Sequence, residues 1–444
     1  MKRRLLFLTL VVLGLSGGAC ELHVGSKKKD EKKDLTAEEL YQEGVHHLRA
    51  QGSTKARPEQ ALTLFQRAAE QGHAGAQYNL GVMYERGTGV AEDPGKALAW
   101  YRKAADQNHP KAMYNLGVML DNGRGAPEDP KAAFALFVLA AEAGIPDAHY
   151  SLGFCYESGR GVEADPEKAA GHYRKAADDG DRGAMLNLGL LYEAGRGVEA
   201  DAALALKWIG KAAEGGHDKA LFNLGRLLER EGTGVTDLPR AVKMYRKAVE
   251  LGNLKAMNHL GLLYEEGRGV EQDEKAAVGW FRKAADLKDG MGMMNLGRML
   301  LDGRGVEKDE QAGADWFRKA ALLGNPIAQY NYAVCLEDGR GVEKDPARAV
   351  PLYEQAAGAG HLLAMVNLGL MHINGRGVAQ DYAAGINWIR KAAEGGHPLG
   401  HMNLGLLHEE GLGVKKDLAL AKQYYQKAAD LGFPPAAVRL KNMK

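Results

Sequence analysis

The chain has 444 residues, 45% of them hydrophobic and 26% charged, with 58 lysines and arginines against 57 aspartates and glutamates. A net charge of +1 offers no global field that would draw nucleic acid or an acidic substrate. Three cysteines are too few for a disulfide framework, and no internal apolar run reaches the roughly 20 residues that a membrane helix needs.

In chain order, the cations Lys2, Arg3 and Arg4 precede an apolar stretch, residues 5–15, and the small residues Ser16, Gly17, Gly18 and Ala19. That order reads as a secretory signal over 1–19. Cys20 follows directly, an arrangement that resembles the bacterial lipobox with Gly17 where a leucine is usual. The resemblance implies a lipid on Cys20 and a membrane anchor; plain cleavage after Ala19 is the alternative. Residues 20–34, rich in lysine with interspersed acids and without apolar periodicity, read as a solvated tether. Residues 35–72 hold a degenerate first helix and a normal second one, as expected of an N-terminal capping repeat.

From residue 73 a 36-residue unit recurs ten times, to residue 432. Stepping 36 residues from Asn79 lands on Asn115, Ser151, Asn187, Asn223, His259, Asn295, Asn331, Asn367 and Asn403. A period of this length marks a solenoid in which each unit needs its neighbours to bury its apolar surface. Within one unit, Ala76, Leu80, Met83 and Tyr84 lie on one helical stripe. Gly87-Thr88-Gly89-Val90 breaks that helix, and Asp93 before Pro94 caps the next. Ala97, Trp100, Tyr101, Ala104 and Ala105 form the stripe of the second helix. The unit is an αα-hairpin. Residues 433–444 read as a closing helical stub.

These motifs, A-x-x-x-L-G-x-x-Y, G-x-G-V, D-x-x-K-A and W-Y-x-K-A-A, resemble the Sel-one-like repeat of the tetratricopeptide-like superfamily. The resemblance implies an all-α, right-handed superhelix of about eleven antiparallel helix pairs serving as a protein-interaction scaffold, without enzymatic activity. Three departures carry local expectations. The loop at Gly232-Thr233-Gly234-Val235 is shifted by one residue, which predicts a longer helix before it. Residues 134–141 lose both cations of the second helix, a candidate lateral contact. Pro351 inside a second helix predicts a kink or a delayed start.

No constellation for catalysis stands out. The scarce serines lie outside any nucleophile motif, and His73, His109, His217, His361 and His397 sit singly at inter-repeat turns, where they read as structural. The G-x-G loops follow helices and carry no phosphate-binding lysine, so they read as helix terminators. Cys155 and Cys335 share one helical phase five units apart and read as buried small hydrophobes. Neither a cofactor nor a metal is expected.

The face opposite the first-helix core is aromatic and aliphatic, with an acidic edge at the phase of Glu85. Contiguous apolar surface outside a core marks a binding site; lateral covering by neighbouring first helices is the alternative. The candidate ligand-binding residues on this face are Tyr78, Asn79, Val82, Tyr114, Asn115, Val118, Tyr150, Phe154, Asn187, Leu190, Phe222, Asn223, Arg226, Met294, Arg298 and Tyr330. The recurring mid-helix asparagine bonds either to the adjacent repeat's backbone or to a ligand. Function is thus expected to be a non-catalytic scaffold of the bacterial cell envelope, facing the periplasm or cell surface and gripping a polypeptide. A cell-wall hydrolase or peptidoglycan-binding protein is the alternative.

Overall fold

The structure, a computed structural model, describes residues 35–49 and 57–443. The signal segment, Cys20 and the lysine-rich tether lie outside them. Every regular element described is a helix. The first helices of the pairs are α1 (Ala37–Leu48), α3 (Ala74–Arg86), α5 (Pro110–Asp121), α7 (Pro146–Ser158), α9 (Arg182–Ala194), α11 (Asp218–Glu229), α13 (Leu254–Glu266), α15 (Gly290–Asp302), α17 (Pro326–Asp338), α19 (Leu362–Asn374) and α21 (Pro398–Glu410). Their partners are α2 (Pro58–Glu70), α4 (Pro94–Ala105), α6 (Pro130–Glu142), α8 (Pro166–Asp178), α10 (Ala202–Glu214), α12 (Leu238–Glu250), α14 (Glu274–Asp286), α16 (Glu310–Leu322), α18 (Pro346–Gly358), α20 (Tyr382–Glu394) and α22 (Leu418–Asp430), with α23 (Pro434–Asn442) last. The described residues fall into two compact units, those up to 112 with 124–126, and 113–123 with 127–443. In the first, α1 to α4 pack each on the next; in the second, the same holds from α6 to α23. The fold is an all-α solenoid of eleven antiparallel helix pairs and a stub.

Local chemistry sets each helix. All ten aspartates at the Asp93 phase, from Asp93 to Asp417, accept a hydrogen bond from a backbone N–H of the first turn they open. The turn histidines do the same for the first helices: His73, His217 and His361 accept through Nδ1 from Ala76, Ala220 and Ala364. The second glycine of the G-x-G loop permits a close approach. At Gly161, with φ +75°, a Cβ would stand 2.1 Å from the Pro130 carbonyl oxygen of the preceding pair. Side-chain layers then lock the pair. Tyr101, Tyr173, Tyr245, Tyr353 and Tyr425 are fully buried; all but Tyr353, which has Ala333 at that phase, lie over a helical glycine, and a Cβ on Gly81 would lie 2.5 Å from the Tyr101 ring.

Several expectations need correction. Trp100 is half-buried at the edge of the core rather than within it, packed against the cluster that holds Leu80 and Met83, with the Lys103 Nζ 4.2 Å from its ring centre. The helix before the shifted loop is shorter, not longer. It stops at Glu229, since Arg230 is extended and its carbonyl accepts from the Thr233 and Thr236 hydroxyls. Pro351 does not delay its helix, which starts at Pro346 like its equivalents and carries the ring on its exposed side. On α6, Phe134 packs edge-on against Tyr156 at 5.4 Å, and Leu139 remains 47% exposed.

Candidate binding surface

The first helices bring the phases of Tyr78, Val82 and Glu85 to one face in each unit. The aromatic row is half in use. Tyr78 lies 5.8 Å from Tyr101 and stacks on His109 at 4.8 Å. Tyr330 repeats this with Tyr353 and His361 at 5.9 and 4.6 Å. Tyr114, Tyr150 and Phe222 lean on Phe137, Tyr173 and Tyr245. Asn79, Val82, Asn115, Val118, Leu190 and Met294 are half-buried, and Phe154, 44% exposed, is the most open of the candidates. In the same rows Leu186, Asn258 and Val366 are buried, so the face is not apolar and open throughout.

The expected acidic edge is a structural ladder instead. The carboxylates at the Glu85 phase accept from the buried tyrosine of their own hairpin: Glu85 from Tyr101 at 2.6 Å, Glu157 from Tyr173 at 2.8 Å, Glu229 from Tyr245 at 2.7 Å and Glu337 from Tyr353 at 2.8 Å. Each also meets the loop arginine of the next repeat. Arg124 reaches Glu85 at 3.3 Å, Arg196 reaches Glu157 at 2.6 Å, Arg268 reaches Glu229 at 3.2 Å and Arg376 reaches Glu337 at 2.6 Å. Two candidates join the ladder: Arg226 binds Glu193 and Arg298 binds Glu265, both at 2.6 Å. Hydrogen bonds from Arg298 outweigh burial and hold the Glu265 carboxyl below its usual range. At Glu229, burial pushes upward, but hydrogen bonds from His259 and Tyr245 prevail and lower it.

The mid-helix asparagines build no ladder to the neighbouring backbone. Asn223 and Asn403 donate to carbonyls of their own helices, those of Lys219 and Leu399, at 2.8 Å. Asn367 and Asn187 instead reach the hydroxyls of Tyr353 and Tyr173 in the preceding hairpin. An amide four residues beyond a carbonyl finds it within reach, and tyrosine hydroxyls at the hairpin edge compete for the rest.

Five candidates converge. Asn187, Leu190, Phe222 and Asn223 line a pocket of about 520 Å³ together with Leu186, Lys219 and Lys255. Leu190, Phe222, Asn223 and Lys255 are shared with an adjoining pocket of about 640 Å³, which Arg226 also lines. The floor is apolar, and amides and charges of both signs, Asp218 and Glu193 among them, stand at the rim. Cys155 and Cys335 are free and buried, with burial pushing each thiol to about 11. Among the described residues no group of three or more histidine, cysteine, aspartate or glutamate side chains is placed to hold a metal.

The Sel1 repeat model matches eleven consecutive stretches, from residues 37–73 to 398–433. The chain belongs to the Sel1-repeat family. A solved Sel1-like structure, the protective antigen c5321 of uropathogenic Escherichia coli, is 32% identical over 92% of this chain and 87% of its own, with a TM-score of 0.66. A Sel1 repeat protein of Oxalobacter formigenes is also 32% identical, over 70% of this chain and 90% of its own, with a TM-score of 0.57. Comparison with curated proteins finds no match. Sel1 repeats build protein-interaction scaffolds, and the ladder of glutamate, tyrosine and arginine is how this chain joins one repeat to the next.

Proposed function

We propose that this Sel1-repeat array is an exported scaffold of the bacterial cell envelope that holds a polypeptide segment along its first-helix face. The observation that carries the reading is the pair of adjoining pockets at Leu190 and Phe222 on that face. Apolar floor, amide rim and outward cations suit an extended chain, with main-chain amides available to Asn187 and Asn223. The basic, apolar and small-residue order of residues 1–19 and the cysteine that follows support export and a lipid anchor on Cys20. Similarity to a protein described as a protective antigen supports an envelope placement.

The test is affinity capture from envelope extracts, read by mass spectrometry, with the wild-type chain and a Phe154→Asp/Phe222→Asp variant. Both side chains are at least partly exposed, so helix content should be unchanged while the captured partner is lost. Equal capture by a folded variant would remove this face from consideration. The intact mass of the membrane-extracted protein reports whether Cys20 carries lipid.

A further inference from the structure

Charges around the two pockets are unevenly placed. Glu193 has a side chain only 7% exposed, held by Arg226 at 2.6 Å and approached by Arg230 at 3.6 Å. Asp218 accepts from the Asn253 amide at 3.5 Å. Glu193 is therefore drawn down into the protein, Asp218 lines the first pocket partly exposed, and Arg230 stays 60% exposed. Lys219 and Lys255, both exposed, have no carboxylate within ion-pair distance among the described residues. The two lysines hold equivalent positions, 36 residues apart in sequence, on the successive first helices α11 and α13. Helix packing sets such positions on the order of 10 Å apart. Leu190, Phe222 and Lys255 line both pockets and Lys219 lines the first, with Asn223 at the rim of both.

Resting on the scaffold reading above, we infer that the segment bound here is acidic: an extended polypeptide whose carboxylates lie three residues apart, one on Lys219 and one on Lys255, with apolar side chains between them in the pockets. In an extended left-handed chain three residues complete one turn and advance about 9 Å, so side chains at that spacing share a face and match the lysines. The intervening residues turn toward Leu190 and Phe222, and Asn187 and Asn223 meet the main chain. An anionic polymer such as RNA fits worse, because the floor is aliphatic and Phe222 leans on Tyr245 at 5.8 Å instead of offering a free stacking face.

The experiment is fluorescence polarisation with short labelled peptides on the full chain. One peptide carries aspartates three residues apart with Leu and Phe between; the second has lysines in place of the aspartates, the third serines. A single-stranded RNA and phosphatidylglycerol vesicles complete the set. Tight binding of the aspartate peptide alone is expected, weakening at least about tenfold in Lys219→Glu/Lys255→Glu and on raising salt from about 50 to about 500 mM. Lys219→Gln/Lys255→Gln, a milder change at exposed positions, should weaken it less and guards against misfolding. If the serine peptide binds as well, and Phe222→Asp abolishes its binding while the lysine variants do not, the scaffold reading stands and the acidic partner falls. Preference for the lysine peptide, RNA or vesicles overturns the inference, as does failure of every peptide to bind. Loss of aspartate-peptide binding through Phe222→Asp together with the lysine variants supports both.

Discussion

The first-helix face over residues 182–255 and the same face over 290–338 rest on like hairpins but present different chemistry. In the first stretch the phase before the aromatic row is Lys219 and Lys255; in the second it is Met291 and Ile327, 47% and 43% exposed. The acid of the ladder is Glu193 and Glu229 in one, but Leu301 replaces it once in the other, so Arg340 turns to the Leu301 carbonyl and to Asp302 at 3.5 Å. Beneath both, the capping aspartate and a buried apolar side chain at the Tyr101 phase hold their places, Ile209 and Tyr245 under one and Phe317 and Tyr353 under the other. The repeat separates positions that build the stack from positions free to choose a partner.

The strongest way to break this comparison is to strike a position held to be common. Tyr245→Ala and Tyr353→Ala each remove a fully buried ring and one hydrogen-bond donor from the partner carboxylate, Glu229 or Glu337. Each should cost about 3–5 kcal/mol of local stability. Amide hydrogen exchange in α11–α12 and α17–α18 would report it, because a repeat array opens in parts. Similar losses are expected; protection unchanged in one of the two would deny that the layers are equivalent.

A smaller effect should separate two ladder rungs. Glu193 has Arg226 close and Arg230 at 3.6 Å, whereas Glu265 has Arg298 and Arg304, both at 2.6 Å. Arg226→Ala should then cost about 1–2 kcal/mol and Arg298→Ala less, the partial exposure of both arginines having reduced each figure. The acid dependence has a definite sign. Glu265 is depressed by its arginines, chiefly Arg298, so its contribution is present above the ordinary glutamate range and disappears as pH falls through the lowered value. Urea unfolding of wild type and Arg298→Ala should converge toward acid; a gap that widened there would contradict the assignment.

How much of this was legible in sequence follows from the range of each interaction. The aspartate caps were, because a cap is settled within four residues. The tyrosine core stripe was, because a helical phase is periodic. The arginine ladder was not: Arg196 and Glu157 are 39 residues apart, and only stacking brings them within 2.6 Å. Without it the Glu85 phase looked like a free acidic edge. Arg226 and Arg298 looked like ligand contacts for the same reason. The turn histidines were placed correctly, yet their work as Nδ1 caps was missed, since histidine is seldom thought of as a capping residue. At the candidate site, periodicity chose the first-helix face. It could not tell that Asn187, Leu190, Phe222, Asn223 and Arg226 share adjoining pockets while Leu186 and Val366 are buried, because side-chain depth varies from one repeat to the next.

The smallest effect on stability sharpens the comparison most. Met291→Lys/Ile327→Lys places on α15 and α17 the cations that α11 and α13 carry. Both positions are substantially exposed, so the cost should stay within about 0.5 kcal/mol. If a pair of lysines at this phase is enough to hold an acidic segment, a titration with the aspartate peptide should show a second site per chain. Leu262 and Met294, which hold there the positions of Leu190 and Phe222, would then serve as its floor. If stoichiometry stays at one, the lysines need the pockets beneath them. Specificity would then lie in the depth of the first-helix face as much as in its charge, and a partner could be redirected along the array only by changing both.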